Sequence, residues 1–239
     1  MDFYFLINCS TSLYNGPIKD YREKELKMYI IANILMIVFL SNIFDFSNKA
    51  ILIENEWLNF SIKLINSALM SSVIYIFAFL SDSLFSSAIK SNLLYLGRKL
   101  PGEKSFSNLK KSKDPRITLN LINNKYDEIY RNMPVGEKEK QAYQNACWYK
   151  IYSKYRNNPM IYIANRDYLL CRDMYISTII IIIGYIVFSL LVHTFEFSCR
   201  CFFYLIFMLI ITNVAANVKS VRFVFNTIVY DIHNQETDL

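Results

Sequence analysis

The chain has 239 residues, 54% of them hydrophobic and 16% aromatic against 19% charged, with 5 Gly, 5 Pro and a formal net charge of +6. A soluble domain of this size needs more charge to cover its core, so the composition excludes an ordinary water-soluble fold if the apolar residues are clustered. They are clustered, in four windows free of Asp, Glu, Lys and Arg at 28–44, 64–81, 174–195 and 201–218.

Residues 1–27 begin with the apolar run Phe3 to Ile7 ahead of Cys9. That run lacks the basic flank, the length and the small residues of a cleavable signal, so the first apolar helix is expected to direct insertion. The windows hold 17, 18, 22 and 18 residues. A helix rising about 1.5 Å per residue needs about 17–25 residues to cross a hydrocarbon core about 30 Å thick. The expectation is therefore an all-α integral membrane protein with four transmembrane helices and a helical cytoplasmic insert between the second and third. Its parts are a cytoplasmic N-terminal segment (1–27), the first two spans (28–81), a basic helical insert (82–173), the last two spans (174–218) and a cytoplasmic C-terminal helix or tail (219–239).

Orientation follows from lysine and arginine. The insert holds 17 of the 26, against 9 acidic residues, and the N-terminal segment holds four. The two connections between paired spans are poor in both. Because basic residues near helix ends stay inside, both termini and the insert are expected on the cytoplasmic face of a bacterial inner membrane. Five cysteines show no metal-site spacing, and no cofactor is expected.

Within the insert, Ser83 to Leu96 is expected to prolong the second span until Gly97, and Leu100-Pro101-Gly102 to break it. Residues 103–113 are Ser- and Lys-rich and read as an exposed loop. Asp114-Pro115 has the chemistry of an N-cap and first turn. Ile122, Tyr126, Ile129, Tyr130 and Met133 then repeat at helical spacing up to Pro134 and Gly136. A second helix over 137–156 places Tyr143, Cys147, Ile151, Tyr152 and Tyr155 on one face. Asn157-Asn158-Pro159 ends it, and the next helix runs without a breaker into the third span. Val221, Val224, Phe225, Ile228 and Ile232 extend the fourth span inward as an amphipathic helix.

Chemistry for catalysis is sparse. His193 and His233 lie near no nucleophile or carboxylate at a useful spacing, and no phosphate loop or metalloprotease word occurs, so no enzyme is expected. The basic, aromatic insert carries more. Arg116 stands in a cluster with Lys110, Lys111 and Lys113, and Lys150, Lys154, Arg156 and Arg166 are interleaved with Trp148 and several tyrosines. Such a mixture holds phosphates and stacks bases, which makes these residues a candidate site for a nucleotide or oligonucleotide signal. The same residues also suit contact with anionic lipid and helix packing. In the fourth span Thr212, Asn213 and Asn217 share a side with Ala216 and Ser220. In lipid they must face another helix or water, so they either join helices or line a pore in a homo-oligomer.

Leu100-Pro101-Gly102, Asp114-Pro115-Arg116, Gln144-Asn145 with Trp148-Tyr149, and Arg172-Asp173 just before the third span are the recognisable words of the chain. With two spans, a basic helical insert, two more spans and a short inner tail, it resembles the small four-span membrane effectors of bacterial anti-phage defence systems. The resemblance implies an oligomeric membrane protein that opens or disrupts the inner membrane when a cytoplasmic signal is sensed. The alternative is a membrane anchor or scaffold that recruits a soluble cytoplasmic partner.

Overall fold

The computed structural model describes residues 17–40, ten helical positions between 61 and 80, and residues 85–112, 114–191 and 197–234. All named elements are helical: α1 (Pro17–Leu40), α2 (Ser87–Tyr95), a 3₁₀ turn (Gly102–Lys104), α3 (Ser105–Leu109), α4 (Leu119–Arg131), α5 (Glu137–Tyr155), α6 (Pro159–Leu191) and α7 (Cys199–His233). No strand occurs among the described residues. The chain divides into two compact units, one within Met1–Leu94 and Leu170–Val214, the other Tyr95–Leu169 and Ala215–Leu239. Helices α6 and α7 contribute residues to both.

In the first unit, Leu26, Ile30, Ile34 and Ile37 recur every three or four residues on one face of α1 and are buried against Ile181 and Tyr185 of α6 and Cys201 and Leu205 of α7. Hydrogen bonds tie the same helices: Tyr29 Oη lies 2.7 Å from Thr178 Oγ1, and Tyr204 Oη 3.0 Å from Asn33 Oδ1. Outward, the surface is apolar, with Leu35 and Phe39 of α1, Leu190 and Leu191 of α6, and Phe203 and Phe207 of α7 exposed. α6 and α7 are both long and apolar enough to cross a membrane. Only 33% and 22% of their most apolar stretches are buried, so they are not core helices of the kind a soluble protein hides. Of the other two expected spans, 28–44 overlaps α1 only up to Leu40. Window 64–81 has nine described positions, all helical. The remaining residues of both windows lie outside the described ones.

The second unit has an ordinary internal core. Phe106, Leu109, Ile117, Ile122, Tyr126, Trp148, Tyr155 and Ile161 are buried together with Phe223, Val224, Ile228, Val229 and Ile232. Phe223 is its hub, with ring centroids of Trp148, Tyr152 and Tyr168 at 5.4, 5.2 and 6.3 Å.

Three local expectations are corrected. Ser83 to Leu96 is not one helix, because Phe85 and Ser86 are non-helical and Ser86 starts α2: its carbonyl and hydroxyl accept the N–H groups of Lys90 (3.1 Å) and Ile89 (3.4 Å). Residues 103–113 do not form a plain exposed loop. The 3₁₀ turn and α3 sink Phe106 and Leu109 into the core, a pair too short to register as a period. Asp114-Pro115 does not start a helix: α4 starts at Leu119 with Thr118 as its cap, and Asp114 binds Arg116 instead. The long helices follow the expectation more closely. α6 runs unbroken through the region expected to join insert and span, and α7 extends the last window as a helix to His233.

Candidate functional site

The aromatic and basic halves of the expected ligand set occupy different environments in the second unit. Trp148 is buried, its ring stacked on Tyr152 at 5.6 Å and set edge-on to Phe223. Its face of α5 also meets the 3₁₀ turn: a Cβ built on Gly102 would lie 3.2 Å from Trp148 and overlap the side-chain oxygen of Asn145. Buried Gln144 accepts the Ser107 N–H at 2.8 Å through Oε1. Thus Leu100-Pro101-Gly102 and Gln144-Asn145 with Trp148, separate words in the sequence, form one packed joint.

The cations lie outside that joint. Arg116 is exposed, and its guanidinium donates to both oxygens of Asp114 at 2.9 and 2.6 Å and to Asn226 Oδ1 at 3.3 Å. Those hydrogen bonds hold the Asp114 carboxyl below its usual range. Arg166 donates to Asp167 at 2.8 Å, and Lys219 does the same to its other oxygen. Lys154 lies 4.8 Å over the Tyr155 ring. Lys150, Lys154 and Arg156 are exposed at the C-terminal end of α5, where the helix dipole favours cations. Among the described residues these three are the members of the expected set most open to a phosphate.

Beside them is a buried polar contact that the sequence did not announce. Tyr126 interrupts the regular dihedrals of α4 (φ −119°, ψ 16°), and its hydroxyl donates to Asp231 Oδ2 at 2.7 Å. Lys125 donates to the Asp231 carbonyl at 2.9 Å. Burial, then the adjacent Asp231 charge and its hydrogen bond, push the Tyr126 phenol well above the usual range. A raised value means that the fold favours the protonated phenol. Its contribution is complete below the unfolded value of about 10 and is lost as the pH rises beyond it. Denaturant titrations should therefore show stability falling above pH ~10, with a shallower fall in Tyr126→Phe; equal slopes in the two proteins would contradict this.

Thr212, Asn213 and Ser220 of α7 have hydrogen-bond partners within the protein. In the first unit, Thr212 is buried and donates to the Met208 carbonyl at 2.8 Å. Asn213 is half-buried, and its amide donates at 3.1 Å to the Leu94 carbonyl in the last turn of α2, an acceptor its own helix leaves open. In the second unit, the Asn217 carbonyl accepts the hydroxyl of buried Ser220 at 2.8 Å.

The most concentrated charge lies in the first unit, around Asp173. This carboxylate is 2% exposed, and Arg172 and Lys90 beside it are 5% and 3% exposed. Arg172 reaches Oδ1 at 3.1 Å and also donates to Ser87 Oγ at 2.8 Å; Lys90 lies 3.5 Å from Oδ1, and Arg22 of α1 lies 3.7 Å from Oδ2. Arg172-Asp173 is visible in the sequence as a word, whereas Arg22 and Lys90 carry no local signal linking them to it. Among the described residues no group of three or more His, Cys, Asp and Glu is placed to hold a metal ion. Comparison with protein-family models, with curated proteins and with solved structures finds no match to this chain.

Proposed function

We propose that the chain is a homo-oligomeric effector of the bacterial inner membrane, a ligand- or partner-gated pore acting in antiviral defence. In this reading four helices cross the bilayer, both termini are cytoplasmic, and the helical insert with the C-terminal tail receives the signal. The carrying observation is the contrast between the units: one presents apolar side chains outward, and the other keeps its core inside and shows cations on its surface. The first calls for lipid or further copies, and the second has the surface of a part that stays in water. The signal is a nucleotide or oligonucleotide taken by Lys150, Lys154 and Arg156, or a soluble defence partner protein. No catalytic step is needed.

A second reading, a membrane anchor or scaffold for a soluble partner, draws support from one observation. Asn213 spends its amide on Leu94 within the protomer, as helix-joining residues do. Replacing Asn213 and Asn217 with Leu separates the two. Under the effector reading, ion flux through reconstituted vesicles is abolished. Under the anchor reading, wild-type protein conducts under no nucleotide or partner, and the substitutions cost only about 1–2 kcal/mol for lost hydrogen bonds.

A further inference from the structure

Asp173 Oδ2 and the hydroxyl of Ser177 are both shut off from solvent, and neither has a hydrogen-bond partner in the protein. The two residues are 2% and 1% exposed and stand four apart on α6, so their side chains share one face, a turn from each other. The other hydroxyls of α6 and α7 behave differently. Thr178, Ser189, Thr212, Ser220 and Thr227 each donate to a carbonyl three or four residues back, at 2.8 or 2.9 Å. Ser177, in the same helical backbone, makes no such bond, so its oxygen is turned toward something other than its own helix. Arg22 Nε lies 3.7 Å from Asp173 Oδ2, too far for a direct hydrogen bond and a separation that two groups can share through one water.

Leaving a buried hydroxyl and a carboxylate oxygen unsatisfied is costly, and the surrounding charges fix the kind of ligand that would relieve it. Oδ2 needs a donor. Arg22, Lys90 and Arg172 beside the carboxylate repel a metal cation, and the carboxylate itself repels an anion. A small neutral molecule that both donates and accepts fits, and buried waters typically make about three hydrogen bonds to such orphaned groups.

We propose that α6 carries a structural water, which donates to Asp173 Oδ2, bonds the Ser177 hydroxyl and has the Arg22 guanidinium as its third neighbour. It completes the coordination of a carboxylate that the three cations leave open on one side. The site is the same whether the chain is an effector or an anchor.

The test uses the full chain. In nanodiscs, water-edited solid-state NMR is expected to show polarisation passing from water to the Ser177 Cβ and the Asp173 carboxyl carbon, but not to Ile181, which is fully buried beside them on α6. Ser177→Ala should abolish the transfer to Asp173 and, in detergent, raise the unfolding equilibrium constant about fivefold, the worth of roughly one hydrogen bond. The same substitution placed in the Lys90→Met, Arg172→Met, Asp173→Leu background should have no such cost, because the water has lost its carboxylate. Transfer to Ser177 no greater than to Ile181 overturns the proposal, as does a Ser177→Ala protein as stable as wild type. A cost that persists without Asp173 also overturns it, since the hydroxyl would then serve a different partner.

Discussion

Asp173→Ala is expected to lower the stability of the first unit by about 3–5 kcal/mol, the typical cost of removing one partner from a buried ion pair. Deleting the carboxylate leaves Lys90 and Arg172 nearly buried without the charge they face, and Arg22 loses its link to α6. The cost comes from stranded charge more than from lost attraction, and that distinction can be checked. Lys90→Met and Arg172→Met introduced together with Asp173→Leu should recover most of the loss, because well-packed apolar groups can replace a buried ion cluster at little cost. Denaturant unfolding in detergent, followed by helicity, measures both variants. A single variant within about 0.5 kcal/mol of wild type, the range of an ordinary surface substitution, would show that the cluster is hydrated and contributes little.

Phe223→Ala is the corresponding lesion in the second unit, with an expected cost of about 3–5 kcal/mol for a buried Phe truncated to Ala. Phe223 is 6% exposed and joins Trp148 and Tyr152 of α5 to Tyr168 of α6. Its removal strips edge-to-face partners from two rings and leaves a void lined by aromatic carbon. Because Trp148 borders that void, its fluorescence should shift to the red as water enters, and the unfolding midpoint should fall in the same variant. Phe223→Leu fills most of the volume and should lose less than half as much. An unchanged emission spectrum in Phe223→Ala would place the hub elsewhere.

The long elements were legible because their signals are long. Twenty-two charge-free residues from 174 announce α6 without any partner, and Glu137 to Tyr155 repeats its apolar positions for five turns before Asn157-Asn158-Pro159 stops it. Phe106 and Leu109 were missed because two apolar residues among serines and lysines make no period; only the core built by α5 and α7 shows what they fill. Asp114-Pro115 misled because Asp also stabilises a turn by binding locally, and here Arg116 two residues later takes both its oxygens. Trp148 was legible as special but not as buried, since tryptophan beside lysines reads equally well as a stacking platform and as a packing face. Arg22 and Lys90 could not have been assigned to Asp173 at all. They lie far from it in sequence, and convergence of charge from three helices leaves no spacing to read.

The second unit has a discontinuous core, which sets when it can form. Phe223, Val224, Ile228 and Ile232 belong to α7, whereas Phe106, Ile122 and Trp148 are synthesised long before it. Until α7 leaves the ribosome, residues 95–169 have no hub to close around and expose a strip of apolar and aromatic side chains. Folding of the second unit therefore waits for the last helix, which supplies Phe223 and its neighbours to side chains made long before it. A ribosome stalled before Phe223 should present residues 95–169 to chaperones and proteases, and one stalled after α7 has emerged should not.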